Sequence, residues 1–336
     1  MKYFVFSIKI LTLAIVISFL FPMLNTRYQI LDTGSVHAQE AIRVYTIMPP
    51  TVTQKLNPGQ SAEGVLGIIN GTNNGLTFTV SVKDFIVEDT IGTPKFLPTN
   101  TLSNKYSAAS WIRVTPSTFT IEPHQKQQLN YSIDIPPNAR PGGHYAAVIY
   151  APNAGIMMGG TDTTVNTEAG SLFYVEVNGS INEQVSITKF FANPFQEYGP
   201  VNILTQLKNL GDLHAAPKGT ITVSGLFFNQ TQDLPTHNIF PEAARDFSNT
   251  FGKSLMVGRY KATLIGSYGA SNNLPLVATV YFWVFPWRVT LVIVLTAVAL
   301  ILGGMYVRKR KKDGSNKPTE AETEVVVPST ETPEVK

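Results

Sequence analysis

Residues 289–307 are 19 positions without a charge, dominated by Leu, Val and Ile. As a helix rising about 1.5 Å per residue they match a bilayer core of roughly 30 Å. Trp283 and Trp287 stand just before the run, where amphipathic rings favour the membrane interface. Arg308, Lys309, Arg310, Lys311 and Lys312 follow it at once. Five cations are out of place on the end of a buried core helix, so we expect one transmembrane helix over 287–307 with the membrane as its surroundings. Positive charge stays on the cytoplasmic side. The expectation is therefore a single-pass type I protein of the cell membrane, with the bulk of the chain extracellular.

The beginning of the chain fits that route. Lys2 and Lys9 give a basic start, residues 10–21 are apolar, and Pro22 breaks the run. About twelve apolar residues are too few to span, so 1–38 reads as a signal peptide cleaved after Ala38, within Val36-His37-Ala38. An uncleaved anchor is the alternative. Past the basic stop, 313–336 is rich in Thr, Glu and Pro and has no aromatic residue, which implies a disordered cytoplasmic tail in 308–336.

The chain has no cysteine, which excludes a disulfide framework, thiolate chemistry and a cysteine zinc site. An exported chain without disulfides fits a bacterial or archaeal surface better than a eukaryotic secretory route. Between residues 40 and 280 there are 15 Lys+Arg against 16 Asp+Glu. The net charge of +3 thus belongs to the membrane flanks, and no basic field exists to attract nucleic acid.

The exported region reads as short strands between Pro and Gly turns. Residues 41–47, 64–70, 76–82, 111–114, 119–121, 129–135, 145–150 and 171–177 form a first set. In 76–82 the period of two puts Leu76, Phe78, Val80 and Val82 on one face. A second set covers 185–191, 201–208, a long strand 219–228 with Gly225 inside it, 258–265 and 276–284. The fold class is all-β: two tandem immunoglobulin-like β-sandwich domains, 39–181 and 182–286, followed by one transmembrane α-helix. A weak internal echo links the two sets. Asn70-Gly71 answers Asn209-Leu210-Gly211, and Gly143-His144-Tyr145 answers Gly258-Arg259-Tyr260.

Three segments carry a family resemblance: Ser110-Trp111-Ile112-Arg113-Val114-Thr115-Pro116, Ile121-Glu122-Pro123, and the stretch from Ile135-Pro136-Pro137 to Pro141-Gly142-Gly143-His144-Tyr145. With the layout of signal, two sandwiches, span and basic tail, the chain resembles the WxL-interacting protein family of bacterial cell-surface proteins. That resemblance implies two immunoglobulin-like domains, peptidoglycan association through the first and a host or matrix ligand through the second. The acidic extension 313–336 is not part of the family pattern.

Catalytic chemistry has little to stand on. His124, His144, His214 and His237 are isolated in sequence, with no metal-ligand spacing. Asp84, Glu88 and Asp89 lack the alternating oxygens of a calcium loop and read as a solvated strand end. There is no Gly-x-Ser-x-Gly elbow. We expect no enzyme, cofactor, metal or small-molecule substrate. Trp111, Tyr145, Tyr150 and Tyr174 read as core aromatics rather than a glycan platform.

The partner expected is cell-wall polymer or a surface protein, engaged through the immunoglobulin-like domains. The alternative is a stalk or accessory subunit that positions another protein and has no ligand of its own. One segment stands out as a candidate contact. Residues 152–168 join two strands by a long Gly- and Thr-rich loop, with Ile156, Met157 and Met158 at its tip. The tip either folds back onto the sandwiches or docks a partner. The topology is checked by protease on intact cells, which should degrade the region before Val289 and spare an epitope tag at Lys336.

Overall fold

The computed structural model describes residues 45–98, 105–153, 156–157, 164–165 and 168–315. The cleavage position after Ala38, Met158, and residues 316–336 of the tail lie outside them.

The first sandwich opens with β1 (Tyr45–Met48), β2 (Thr51–Leu56), β3 (Ser61–Asn70) and β4 (Leu76–Ile86). It continues through β5 (Lys95–Phe96), β6 (Ile112–Thr115), β7 (Thr118–Ile121), β8 (Lys126–Asp134) and β9 (Gly142–Pro152). Two short strands, β10 (Ile156–Met157) and β11 (Thr164–Val165), precede β12 (Ala169–Val177). One sheet has the order β1-β3-β8-β6; the other runs β2-β12-β9-β4, with β5 and β7 also on β4. The strand expected over 41–47 is seen from Tyr45, and β2 was not foreseen. Pro49-Pro50 explains the split: proline offers no N–H to a ladder. The chain leaves β3 there and crosses to pair in parallel with β12.

Between the sheets lies a core of Leu66, Ile68, Leu129 and Ile133 against Phe78, Val148, Tyr150, Phe173 and Val175. Leu76, Phe78, Val80 and Val82 all pack into it, as the period-two pattern requires.

The second sandwich is formed by β13 (Val185–Ala192), β14 (Phe195–Gln196), β15 (Val201–Asn209), β16 (Lys218–Gly225), β17 (Phe228–Asp233), β18 (Ala244–Phe251), β19 (Gly258–Tyr268) and β20 (Leu274–Val284). Its sheets are β13-β15-β18 and β14-β20-β19-β16-β17. The long strand expected over 219–228 is instead a hairpin. Gly225 pairs with Phe228, and the chain turns through Leu226 and Phe227. At Gly225 a Cβ would meet the Tyr260 ring at 2.6 Å, so the site takes only glycine without a shift.

The internal echo has a structural cause. Asn70 and Asn209 are both buried, each at the end of a strand. Asn70 Nδ2 donates to Asn74 O (2.7 Å) and Ile121 O (3.0 Å), and Oδ1 accepts from Thr72 N–H (2.9 Å). Asn209 Nδ2 donates to Leu213 O (2.8 Å) and Ile239 O (2.8 Å), and Oδ1 accepts from Gly211 N–H (2.8 Å). Both side chains thus reach residues i+2 and i+4 and one distant carbonyl. The Gly-aromatic echo, by contrast, is out of step by one residue. Gly142 and Gly258 both open their strands at positive φ (116° and 119°). Counting from them, His144 corresponds to Tyr260, on the core side of its strand, and Tyr145 points the other way.

After the sandwiches comes α1 (Trp287–Ser315). Its stretch Trp287–Arg310 is long and apolar enough to cross a membrane, and none of it is buried. The helix does not stop at Val307. It continues through the basic run, because Arg and Lys are good helix formers and cations suit a helix C-terminus.

Replacing Asn209 by Ala would orphan buried groups at about 1–3 kcal/mol each. We predict a loss of roughly 3 kcal/mol in urea unfolding for Asn209→Ala and less than about 0.5 kcal/mol for the neighbouring, half-exposed Leu210→Ala.

Candidate functional site

β9 is buried on both sides. Its first nine residues, Gly142 to Tyr150, are all inaccessible. Ala146, Val148 and Tyr150 face the first sandwich core, while Tyr145, Ala147 and Ile149 face away from it. The outward set meets Phe85 and Tyr106 of the same sandwich and Phe240 and Ala243 of the second. Phe85 arrives because it sits one residue off the core-facing parity of β4. This third cluster joins the two sandwiches. Phe240 is its centre: Phe85, Tyr145 and Tyr174 meet it edge-on at ring-centroid distances of 5.5, 5.0 and 5.4 Å.

A polar collar surrounds the rings. Arg140 Nη1 donates to Asp212 Oδ1 at 2.9 Å, and Gly143 N–H donates to Asp212 O at 2.8 Å. Asp212 also receives Asn182 N–H on Oδ2 at 3.0 Å. At Gly142 a Cβ would lie 2.7 Å from Asp212 O, so only glycine allows this approach. Asp246 N–H donates to Thr90 O at 2.8 Å, and Lys105 is ion-paired with Glu242. Beside the joint opens a cleft of about 480 Å³, lined by Phe85, Glu88, Tyr106, Lys208, Phe240 and Glu242.

Two histidines lie under this surface. Tyr145 Oη accepts from His214 N–H at 2.9 Å and lies 3.1 Å from His214 Nδ1. The hydroxyl can donate to Nδ1 only while that nitrogen is unprotonated. His144 has carbonyls facing both ring nitrogens: Ser107 O at 3.0 Å and Arg140 O at 2.8 Å. Burial pushes both imidazoles below the ordinary histidine range. Burial also raises the Tyr145 hydroxyl far above its usual range. For His144 the two carbonyls oppose the effect of burial, since a neutral ring has one N–H and can serve only one of them. Among the described residues no group of three or more His, Asp or Glu is placed to hold a metal. The acids at the end of β4 are backbone anchors. Asp84 accepts from the N–H groups of Ala108 and Ala109 (2.8 Å each), and Asp89 from Gly92 and Thr93.

Of the aromatics expected in the core, Tyr150 is in it, while Tyr145 and Tyr174 belong to the joint. Trp111 is half-buried and packs on His144 at 4.4 Å. Phe85, Tyr106 and Phe240 were not singled out from sequence, and His214, isolated in sequence, joins them here through Tyr145. The signal for them was the run Tyr145-Ala146-Ala147-Val148-Ile149-Tyr150, apolar on both parities, which marks a strand covered on two faces.

The candidate contact segment rises from the far end of β9. Ile156 and Met157 form β10, paired antiparallel with Thr164 and Val165 of β11. Among the described residues no third strand adjoins this ribbon. At the membrane flank, Trp283 lies in β20 and Trp287 begins α1; Arg308, Lys309, Arg310, Lys311 and Lys312 all lie in that helix.

No protein-family model matches the chain, and no curated protein matches it. Its fold is similar to that of solved fimbrial chaperones. The class 5 fimbriae chaperone CfaA is 13% identical over 70% of this chain and 98% of its own, with a TM-score of 0.39. The Pseudomonas aeruginosa CupB2 chaperone is 10% identical over 71% and 100%, TM-score 0.34. The E. coli chaperone DraB is 11% identical over 72% and 98%, TM-score 0.33.

The histidines set a pH dependence. An imidazole with a folded pKa below its unfolded value of about 6.5 gives stability that is full above 6.5 and is lost as pH falls toward the folded value. We predict that the unfolding free energy measured in urea falls between pH 7 and 5, by at most about 1.4 kcal/mol per pH unit for each histidine. His214→Phe should make that slope shallower.

Proposed function

We propose that this chain is a membrane-anchored surface protein without enzymatic activity, whose immunoglobulin-like sandwiches carry a protein-binding ribbon. The β10–β11 ribbon is the observation that supports it most directly. Among the described residues this two-stranded ribbon pairs with no other strand, which leaves its outer edges for an added one. Ile156 and Met157 of β10 are apolar residue types, methionine among the most adaptable, that protein contacts use. The partner is a surface protein; the resemblance to WxL-interacting proteins adds cell-wall polymer as the second class. Membrane anchorage rests on α1, and outward orientation on the cations from Arg308 to Lys312.

A photo-crosslinking residue placed at Met157 of the full chain, displayed on cells, should give one discrete protein adduct. The same group at Ser271 should give none. A ribbon that yields no adduct while the chain is at the surface would leave the stalk reading as the better one.

A further inference from the structure

The three most exposed large hydrophobics described in the second sandwich lie at one end, while Ile265 and Val277 pair with each other toward the opposite end. Leu226 (85% exposed) and Phe227 (95%) form the tip of the β16–β17 hairpin, and Leu255 (76%) lies in the turn between β18 and β19. Among the described residues no other large hydrophobic in the two sandwiches is as exposed as these three. The strand registers put them together. Ser224 pairs with Lys261, and Gly258 pairs with Val284, so the hairpin tip, the turn and the end of β20 share one sheet end. Phe195 and Trp283, each about half exposed, pair there across β14 and β20. Trp283 N–H donates to Pro194 O (2.9 Å) and Phe285 N–H to Gln196 O (3.0 Å), which ties that loop to the departing strand.

The chain beyond β20 decides what covers this end. Only Phe285 and Pro286 separate β20 from α1. An extended chain reaches at most about 3.6 Å per residue. If α1 lies in a bilayer, the covalent link leaves this sheet end within roughly 10 Å of the helix start, at the depth of the headgroups. The residue types fit that layer: Trp, Phe and Leu are joined by the exposed cations Lys253, Arg259 and Lys261, and Arg259 stacks on Tyr281 at 4.6 Å. Aromatic rings favour the interface, and long cationic side chains reach toward anionic headgroups.

We propose that Leu226, Phe227 and Leu255, with Phe195 and Trp283, form a lipid-contacting rim that rests in the bilayer interface. The proposal depends on the membrane reading of α1, and the test separates the two. The chain has no cysteine, so a single introduced thiol is labelled without background. The full chain is reconstituted in phosphatidylcholine–phosphatidylglycerol vesicles with an environment-sensitive NBD dye at Leu226→Cys, at Thr296→Cys inside α1, or at Ser271→Cys in the turn at the opposite sheet end. Lipids brominated on the acyl chains should quench the Leu226 and Thr296 probes at least twofold and leave the Ser271 probe unchanged. Adding Phe227→Asp to Leu226→Cys should remove at least half of that quenching. A quenched Thr296 probe beside an unquenched Leu226 probe would overturn the rim while the span stands, and would give this end to water or a protein. Quenching that ignores Phe227→Asp would assign lipid contact to the dye and overturn the rim as well. An unquenched Thr296 probe would overturn both the span and the rim.

Discussion

Burial of β9 on both faces is the constraint on which the two-sandwich region depends. Most strands of an antiparallel sandwich show one face to the core and one to water. Here the even-numbered residues close the first core, and Tyr145, Ala147 and Ile149 close a cluster shared with the second sandwich. A single eleven-residue strand therefore serves two hydrophobic assemblies. Phe240 supplies the second sandwich's central ring, and an Arg140–Asp212 pair with its backbone bonds seals the edge. An isolated first sandwich would expose the outward side of β9 to water, so the two sandwiches support each other at this joint.

That coupling bears on function through geometry. β9 starts at the joint, where Gly143 meets Asp212, and ends at Pro152 below the ribbon, about 35 Å along a strand of eleven residues. β20 likewise starts at the joint end of the second sandwich and runs eleven residues to the exit toward α1. The proposed binding ribbon and the exit of the chain thus lie at opposite ends of rigid strands that meet at one packed interface. Force or orientation imposed at one end is transmitted by close-packed side chains rather than by a linker.

The layout was largely legible in sequence because it rests on strong periodic and chemical signals. Nineteen uncharged residues before five cations announce the long apolar helix that follows the sandwiches, and Leu76-Phe78-Val80-Val82 announces the core face of β4. Three things were harder to read. β2, beyond Pro49-Pro50, was not expected, because the switch that sends it to the other sheet is a tertiary choice. The hairpin at Leu226-Phe227 was hidden because apolar residues normally argue for strand, and here they form a turn. The joint was hidden because Phe85 and Phe240 are 155 positions apart and no local pattern links them. Only the unbroken apolar run of β9 announced that something covers its second face. The Asn70 and Asn209 echo was visible, but its reason is the satisfaction of buried carbonyls at equivalent corners.

The period of two in β9 has a consequence for how such a chain can change over time. Inserting or deleting one residue in β9 would reverse the parity of every residue beyond it. Tyr145, Ala147 and Ile149 would trade places with Ala146, Val148 and Tyr150, so both clusters would be mispacked by one event. Point changes face a similar restriction, since a side chain altered on one face shifts the strand that the other face also packs against. The two modules, although built alike, are therefore not free to be shuffled, swapped or reordered as beads on a string. Through β9 they are constrained as one body.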